Sequence, residues 1–338
     1  MQLSDIDYHL PEELIAQHPV EPRDSARLLV ALGGIEHRRV TDLVDHVGEG
    51  DLLVVNETRV LPARLDLRRL SGGRVEVLLL EARDEVDERW EALVRPGRKM
   101  RAGEMLFADD DQPFAEVEGR TEAGDTFVVR IVRGDNANNR RAAIGSVGTV
   151  PLPPYITAPL DNRERYQTVY SKREASAAAP TAGLHFTPEL MAAIENRGAR
   201  FAPVELVVGL DTFKPVEEEN PLRHRIHTER YSVPESTWEA AKQARRVIAV
   251  GTTSCRALES VAATGRLEGR TDLFITPGFR WKMVDLMMTN FHMPRTTLLL
   301  MISSFVGESW RDIYAEAVRE KYRFLSFGDA MLLARQEL

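Results

Sequence analysis

The 338-residue chain has one cysteine, Cys255. A single thiol builds no disulfide framework, no cysteine-ligated iron–sulfur cluster and no cysteine-rich zinc site. The H-E-x-x-H pair is also missing, and with it the commonest histidine zinc motif. No apolar run approaches the roughly 20 residues that span a bilayer. The opening residues, Met1-Gln2-Leu3-Ser4-Asp5, lack the basic-then-apolar pattern of a signal peptide. A cytoplasmic protein with no metal and no membrane segment is therefore expected. There is no Walker loop, no G-x-G-x-x-G fingerprint and no G-x-S-x-G elbow, so the common NTPase, dinucleotide and serine-hydrolase readings lack support. Internal repeats and low-complexity tracts are absent as well.

Positive charge is in short supply overall. The net charge is −8, which argues against a non-specific DNA coat but not against a structured RNA met by local patches. Three arginine-rich patches stand out: Arg95, Arg98, Lys99 and Arg101; Arg130, Arg133, Arg140 and Arg141; Arg223, Arg225 and Arg230. Each reads either as a solvated surface or as a phosphate-facing one, since the planar guanidinium fork suits phosphate.

At 43% hydrophobic and 28% charged residues, the chain can bury a substantial core. Between about Leu65 and Ile131, short strand-like runs alternate with Gly72-Gly73, Pro96-Gly97, Gly103, Gly119 and Gly124. That spacing predicts a small β-barrel or sandwich over residues 65–147, inserted into a larger domain. The proline-rich stretch Gly148–Pro159 returns the chain to that larger domain, made of residues 1–64 and 148–338. There, helices are predicted over Pro188–Arg197, Pro234–Arg245, Cys255–Ala263, Thr296–Val306 and Ser309–Tyr322. Strands are predicted over Arg200–Val208, Val247–Val250, Asp272–Ile275 and Asp285–Thr289. The alternation implies an α/β (or α+β) sheet packed by helices.

Five segments carry unusual chemistry. Ala179-Pro180-Thr181-Ala182-Gly183-Leu184-His185-Phe186-Thr187 packs proline, glycine, hydroxyls, an imidazole and a phenyl ring into nine positions. It reads equally as a binding turn and as a turn leading into the helix at Pro188. Val247-Ile248-Ala249-Val250 runs into Gly251-Thr252-Thr253-Ser254 and then a helix, with Arg256 on its first turn. An anion at a helix N-terminus explains three hydroxyls better than a cap, which needs one. Asn290-Phe291-His292 ends a strand with a recognition kit for a heterocycle. Asp211-Thr212-Phe213 has a similar strand-end position. His227 and Glu229, close in sequence, suit proton transfer or a plain structural role.

Taken together with Asp5-Ile6-Asp7-Tyr8, Pro22-Arg23-Asp24, Val55-Asn56-Glu57-Thr58-Arg59-Val60, Pro151-Leu152-Pro153-Pro154-Tyr155-Ile156 and Tyr322–Met331, these segments resemble the S-adenosylmethionine:tRNA ribosyltransferase-isomerase family of queuosine synthesis, nearly end to end. Two departures are visible: Asp211 where glycine is expected, and Glu174-Ala175-Ser176-Ala177 in place of a Gly-Ser run. The resemblance implies an α/β main domain with an inserted small antiparallel β-barrel. It implies transfer and isomerisation of the ribosyl group of S-adenosylmethionine onto 7-aminomethyl-7-deazaguanine in a tRNA anticodon loop, giving epoxyqueuosine-tRNA, adenine and methionine. No tightly bound cofactor is implied; S-adenosylmethionine is a co-substrate, tRNA the macromolecular partner, and a monomer is expected.

On that resemblance, His185 is the first choice for a base, and His227 with Glu229 the second. Thr252, Thr253 and Ser254 are expected to hold the methionine carboxylate, with Gly251 and Arg256 alongside. Phe186 and Phe291 would stack on a base, Asn290 and His292 would read its edge, and Thr181, Gly183, Asp211, Thr212 and Phe213 would complete the pocket. Arg59, Arg64, Arg98 and Lys99 are expected on tRNA phosphates. The competing readings are a non-catalytic RNA-binding module and an S-adenosylmethionine-dependent methyltransferase.

Overall fold

A computed structural model describes residues 1–122, 124–209, 215–226 and 228–336. The chain divides into two compact units: Met1–Thr58 with Pro153–Arg173 and Ala179–Leu338, and Arg59–Leu152 with Glu174–Ala178. The second unit thus begins before the expected edge at residue 65, ends beyond 147, and takes in a short returning segment. The strands β4 (Thr58–Val60) and β11 (Arg173–Ser176) pair with each other.

The first unit is built on a nine-stranded mixed sheet. Its strands are β1 (Arg27–Ala31), β2 (Ile35–Arg39), β3 (Asp51–Asn56), β12 (Arg200–Leu206), β13 (Glu229–Ser232), β14 (Arg246–Val250), β15 (Glu268–Thr271), β16 (Leu286–Asn290) and β17 (Ala330–Ala334), in the order β15-β13-β12-β3-β14-β16-β17-β1-β2. The central four, β12, β3, β14 and β16, run parallel. Every residue of β3 and β16 is buried, the continuous apolar run of a strand covered on both faces. Alternate residues Leu53 and Val55, Ile248 and Val250, and Leu286 and Met288 point into one cluster with Phe186, Leu190 and Ile194, as the two-residue period of a strand dictates. Leu190 and Ile194 come from α2 (Pro188–Asn196), started by Pro188 and capped by the Thr187 hydroxyl on the Leu190 N–H at 3.1 Å. The other helices of this unit are α3 (Glu235–Gln243), α4 (Thr252–Thr264), α5 (Thr297–Val306) and α6 (Trp310–Arg319).

The sheet is tied at its base by a buried carboxylate. Asp51 accepts hydrogen bonds from Arg245 (2.9 Å), from Arg246 (3.0 and 2.6 Å) and from the Gly48 N–H (3.0 Å). Burial pushes its pKa up, but the bonds from Arg246, Gly48 and Arg245 outweigh this and the net shift is downward. A carboxylate with a depressed folded pKa contributes stability above its unfolded pKa of about 3.9, and loses it as pH falls through the folded value. Asp51→Asn is therefore expected to lower stability at pH 7 by about 2–3 kcal/mol, less than for a wholly buried pair because Arg245 is more than half exposed. Thermal midpoints of the variant and the parent should converge below about pH 4.

The second unit is a closed six-stranded antiparallel barrel of β5 (Arg64–Arg69), β6 (Arg74–Ala82), β7 (Arg89–Arg95), β8 (Glu104–Phe107), β9 (Pro113–Arg120) and β10 (Phe127–Ile131), in the order β10-β7-β6-β5-β8-β9. Leu65 and Leu67, Trp90, Ala92 and Val94, and Phe127, Val129 and Ile131 alternate with exposed or half-buried neighbours. Inward-facing residues filling a small barrel produce this pattern. The sequence reading of glycine-punctuated short strands forming a small β-barrel holds here.

It missed helix α1 (Ala137–Val147), which buries only Ile144 and so has almost no apolar stripe to reveal it. It also set a strand at Asp272–Ile275. The strand there is instead β15, which ends at Thr271; it is mostly exposed and held by backbone pairing to β13, a pairing that side-chain patterning does not report. Among the described residues no helix is long and apolar enough to cross a membrane.

Candidate active-site cleft

The four central parallel strands end on one edge of the sheet. In α/β sheets the space beyond the carboxyl ends of parallel strands is where ligands are held. Here that edge carries Val208 after β12, Gly251–Thr253 after β14, and Asn290–Met293 at the end of β16. With Ala179–Ala182, Tyr155, Thr296 and Leu325-Ser326 these segments line a cleft of about 620 Å³, open solvent at its mouth included. Two of the chemically distinctive segments, separated by about seventy residues in the chain, therefore meet the third in one cavity. The described lining residues carry no carboxylate and no ammonium or guanidinium group. The polar groups of this wall are hydroxyls, one carboxamide and one imidazole, set among apolar side chains.

Asn290 is the best-fixed polar group of that wall. Its Oδ1 accepts from the Thr181 hydroxyl at 3.1 Å, while its Nδ2 donates to His185 Nε2 at 3.2 Å and toward the Asp329 carbonyl at 3.4 Å. An amide NH₂ only donates, so His185 Nε2 is an unprotonated acceptor in this arrangement. Burial pulls the His185 pKa down to about 4, with Arg323 and Arg165 adding to the fall while Asp329 and a backbone hydrogen bond at Arg23 oppose it. His185 does not line the cleft. It stands behind Asn290, neutral, with its lone pair already engaged. The first-choice base is thus held off the cleft wall, with its lone pair directed at Asn290.

The imidazole that does line the cleft is His292. Its Nε2 lies 3.2 Å from the Thr289 hydroxyl, its N–H donates to Tyr314 Oη at 3.1 Å, and its carbonyl accepts from Tyr8 Oη. Burial lowers its pKa to about 3, so it too is neutral.

Several expected contacts fall elsewhere. Phe186 is fully buried in the core, edge-on to Phe201 and Tyr170, so neither ring face is free to stack on a base. Phe291 borders the cleft, but its buried ring sits among Phe324, Tyr322 and Tyr314, with centroids 5.0, 5.4 and 5.7 Å away, and it offers no stacking face either. Gly183 lies behind the wall, against Tyr170. The Ser254 hydroxyl donates to the Val250 carbonyl at 2.9 Å, the ordinary back-bond of a helical serine, and is unavailable to a ligand.

Arg256 is buried one turn along α4 and pairs with Glu229, whose Oε1 also accepts from the Gly209 N–H at 3.2 Å. That carboxylate is tied to a guanidinium, a poor arrangement for a free base. His227, Asp211, Thr212 and Phe213 lie outside the described residues. Sequence reasoning gave no role to Tyr155 or Ser326, which meet at 2.7 Å between their hydroxyls on the cleft wall. The only signal was the prominence of their segments within the resemblance.

On the second unit, Arg64 faces Glu76 at 3.9 Å and Arg59 faces Glu174 at 4.0 Å. Arg130 is surrounded by Glu116, Glu88 and Glu118, Arg133 meets Asp110, and Arg140 and Arg141 meet Glu88 and Asp87. The second arginine patch is thus neutralised. Arg98 and Lys99, in a short 3-10 turn at Gly97–Lys99, form no salt bridge with a carboxylate among the described residues, whereas Arg101 beside them donates its backbone N–H to Glu104 at 3.2 Å.

A family described as queuosine biosynthesis protein matches residues 3–333. The S-adenosylmethionine:tRNA ribosyltransferase-isomerase of Rubrobacter xylanophilus is 48% identical over 337 residues, covering 98% of each chain. That of Symbiobacterium thermophilum is 49% identical over 346 residues, covering 98% of this chain and all of its own. A crystal structure of an S-adenosylmethionine tRNA ribosyltransferase from Thermotoga maritima superimposes with a TM-score of 0.54 at 37% identity, over 97% of this chain and 99% of that one. The chain and its fold thus go with a family of queuosine-biosynthesis enzymes. Within it, this chain belongs to the S-adenosylmethionine:tRNA ribosyltransferase-isomerases.

Proposed function

We propose that the chain transfers and isomerises the ribosyl group of S-adenosylmethionine onto a 7-aminomethyl-7-deazaguanine base in a tRNA anticodon loop, releasing adenine and methionine and leaving epoxyqueuosine. The observation that carries this reading is the uncharged, hydroxyl-rich cleft at the carboxyl edge of the parallel strands, in a chain whose relatives are named S-adenosylmethionine:tRNA ribosyltransferase-isomerases.

The sulfonium acidifies the adjoining ribose carbon, and a base removes that proton. The resulting carbanion expels adenine, the neutral aminomethyl nitrogen attacks the ribose, and ring closure to the epoxide releases methionine. Thr181, Asn290 and His292 bind and orient; with the His185 lone pair engaged by Asn290, His292 made a weak base by burial, and Glu229 paired, the second-choice His227 is taken as the proton acceptor. The target base leaves its stack to reach the cleft. Mixing the chain with S-adenosylmethionine and tRNA bearing the aminomethyl base is expected to release adenine stoichiometrically with base modification. Formation of S-adenosylhomocysteine would instead indicate a methyltransferase, and no turnover a binding module.

The tRNA backbone is assigned to the barrel loop Arg95–Arg101, where Arg98 and Lys99 form no salt bridge among the described residues. Charge reversal at Arg98 and Lys99 is expected to weaken tRNA binding and to reduce the slope of log K against log salt by about 2. Filter binding across a salt series measures this, and an unchanged slope rejects the loop.

A further inference from the structure

Helix α4 starts inside the protein with nothing closing it. The first intrahelical bond runs from the Cys255 N–H to the Gly251 carbonyl at 3.3 Å. The N–H groups of Thr252, Thr253 and Ser254 precede it, and no side chain caps them. Yet Thr252 and Thr253 are 9% exposed and Ser254 is wholly buried. In the same unit α2 and α5 are closed by the Thr187 and Thr296 hydroxyls, while α3 and α6, like α4, have no side-chain cap. A buried helix end without partners calls for a ligand.

A second observation points the same way. Thr253 Oγ1 is buried, has no hydrogen-bond partner, and belongs to a residue that lines the cleft. Buried hydroxyls are nearly always bonded. Gly251, at φ 89°, holds a backbone conformation that disfavours a side chain; a Cβ there would sit 3.6 Å from both Ala182 Cβ and Thr253 Oγ1. Glycine keeps that approach to the amides open. Along the same helix, Arg256 keeps Nε and Nη2 buried without a partner. The free amides and the dipole favour negative charge, and no carboxylate among the described lining residues opposes it.

We propose that the start of α4, with the Thr252, Thr253 and Ser254 amides and the Thr253 hydroxyl, is the receptor for one small anion. Resting on the reading above, that anion is the α-carboxylate of the amino-acid arm of S-adenosylmethionine. A tRNA phosphate shares the chemistry, and the experiment separates the two.

Equilibrium dialysis of the full chain with S-adenosylmethionine and with its decarboxylated analogue, and filter binding of the tRNA, are measured for the parent, Thr253→Val and Thr253→Ser. The parent is expected to prefer S-adenosylmethionine by about tenfold or more. Thr253→Val should cut that preference several-fold while leaving the analogue and tRNA affinities unchanged, and Thr253→Ser should restore it. Equal binding of the two compounds by the parent overturns the proposal, as does a Thr253→Val variant that weakens both alike. A variant that loses only tRNA affinity overturns the carboxylate assignment in favour of a phosphate. Adenine release by a chain indifferent to the carboxylate sinks this inference alone; absence of both release and S-adenosylmethionine binding sinks the functional reading and this inference with it.

Discussion

Asn290→Ala is expected to slow adenine release by about 10²-fold or more, whereas His185→Gln should retain most of the activity that His185→Ala loses. Asn290 presents the fixed carboxamide of the cleft wall, and removing a preorganised polar group aimed at a reacting ligand costs about this much. His185 acts through it. The imidazole Nε2 accepts the Nδ2–H of Asn290 at 3.2 Å and so fixes which way the amide faces. With Nδ2 turned inward toward His185 and Asp329, Oδ1 lies on the Thr181 side, and its second lone pair is the part of the amide left for a ligand donor.

Losing the acceptor in His185→Ala frees the amide to rotate, at an expected cost of about tenfold. Glutamine supplies a carbonyl acceptor in its place. Because burial holds the His185 pKa at about 4, the ring stays neutral from pH 5 to 9, and single-turnover rates should show the same pH profile in the parent and both variants. A general base would behave differently: glutamine would be as inactive as alanine, the loss would reach about 10²–10⁴-fold, and the acidic limb of the profile would change. That result would return His185 to the role the sequence suggested.

The contrast shows what residue order reports and what it leaves out. That Gly251-Thr252-Thr253 and Asn290-Phe291-His292 end strands at one sheet edge was legible because strand, glycine and hydroxyls in sequence define a helix start at a sheet edge wherever the sheet goes. The six barrel strands were legible because alternation is local. Side-chain direction was not. Phe186 and His185 sit one and two residues before the Thr187 cap of α2, and the turn at Thr181–His185 aims them into the core and behind Asn290 rather than into the cleft. Whether Ser254 meets a ligand or its own helix depends on a back-bond to Val250, which no spacing rule predicts. The charge patches behave alike: Arg130, Arg133, Arg140 and Arg141 look basic in sequence, but strand and helix pairing brings Glu88, Glu116, Glu118, Asp87 and Asp110 against them. Edge strands such as β15 are held by backbone bonds and leave no pattern to read.

Gly183→Ala is expected to destabilise the first unit by about 3 kcal/mol or more, with Tyr170→Phe rescuing much of the loss. Gly183 is a glycine for reasons of space. A Cβ there would meet Tyr170 Oη at 2.0 Å, Thr168 Cγ2 at 2.8 Å and Tyr170 Cζ at 3.0 Å. The tyrosine cannot easily yield, since it is buried and edge-on to Phe186 in the core cluster. Its hydroxyl has no hydrogen-bond partner, and burial raises its pKa. Deleting that hydroxyl alone should therefore be neutral or stabilising, by up to about 1 kcal/mol. In the double variant the 2.0 Å contact is gone while the Cζ contact remains tight, so recovery is large but incomplete. Thermal unfolding of the four proteins should show a coupling of about 1–3 kcal/mol between the two positions. Because the same turn carries Thr181 to Asn290, adenine release should fall with Gly183→Ala and recover with the double variant. Additive effects, with the double variant no better than Gly183→Ala, would mean that the glycine answers to something other than the tyrosine hydroxyl.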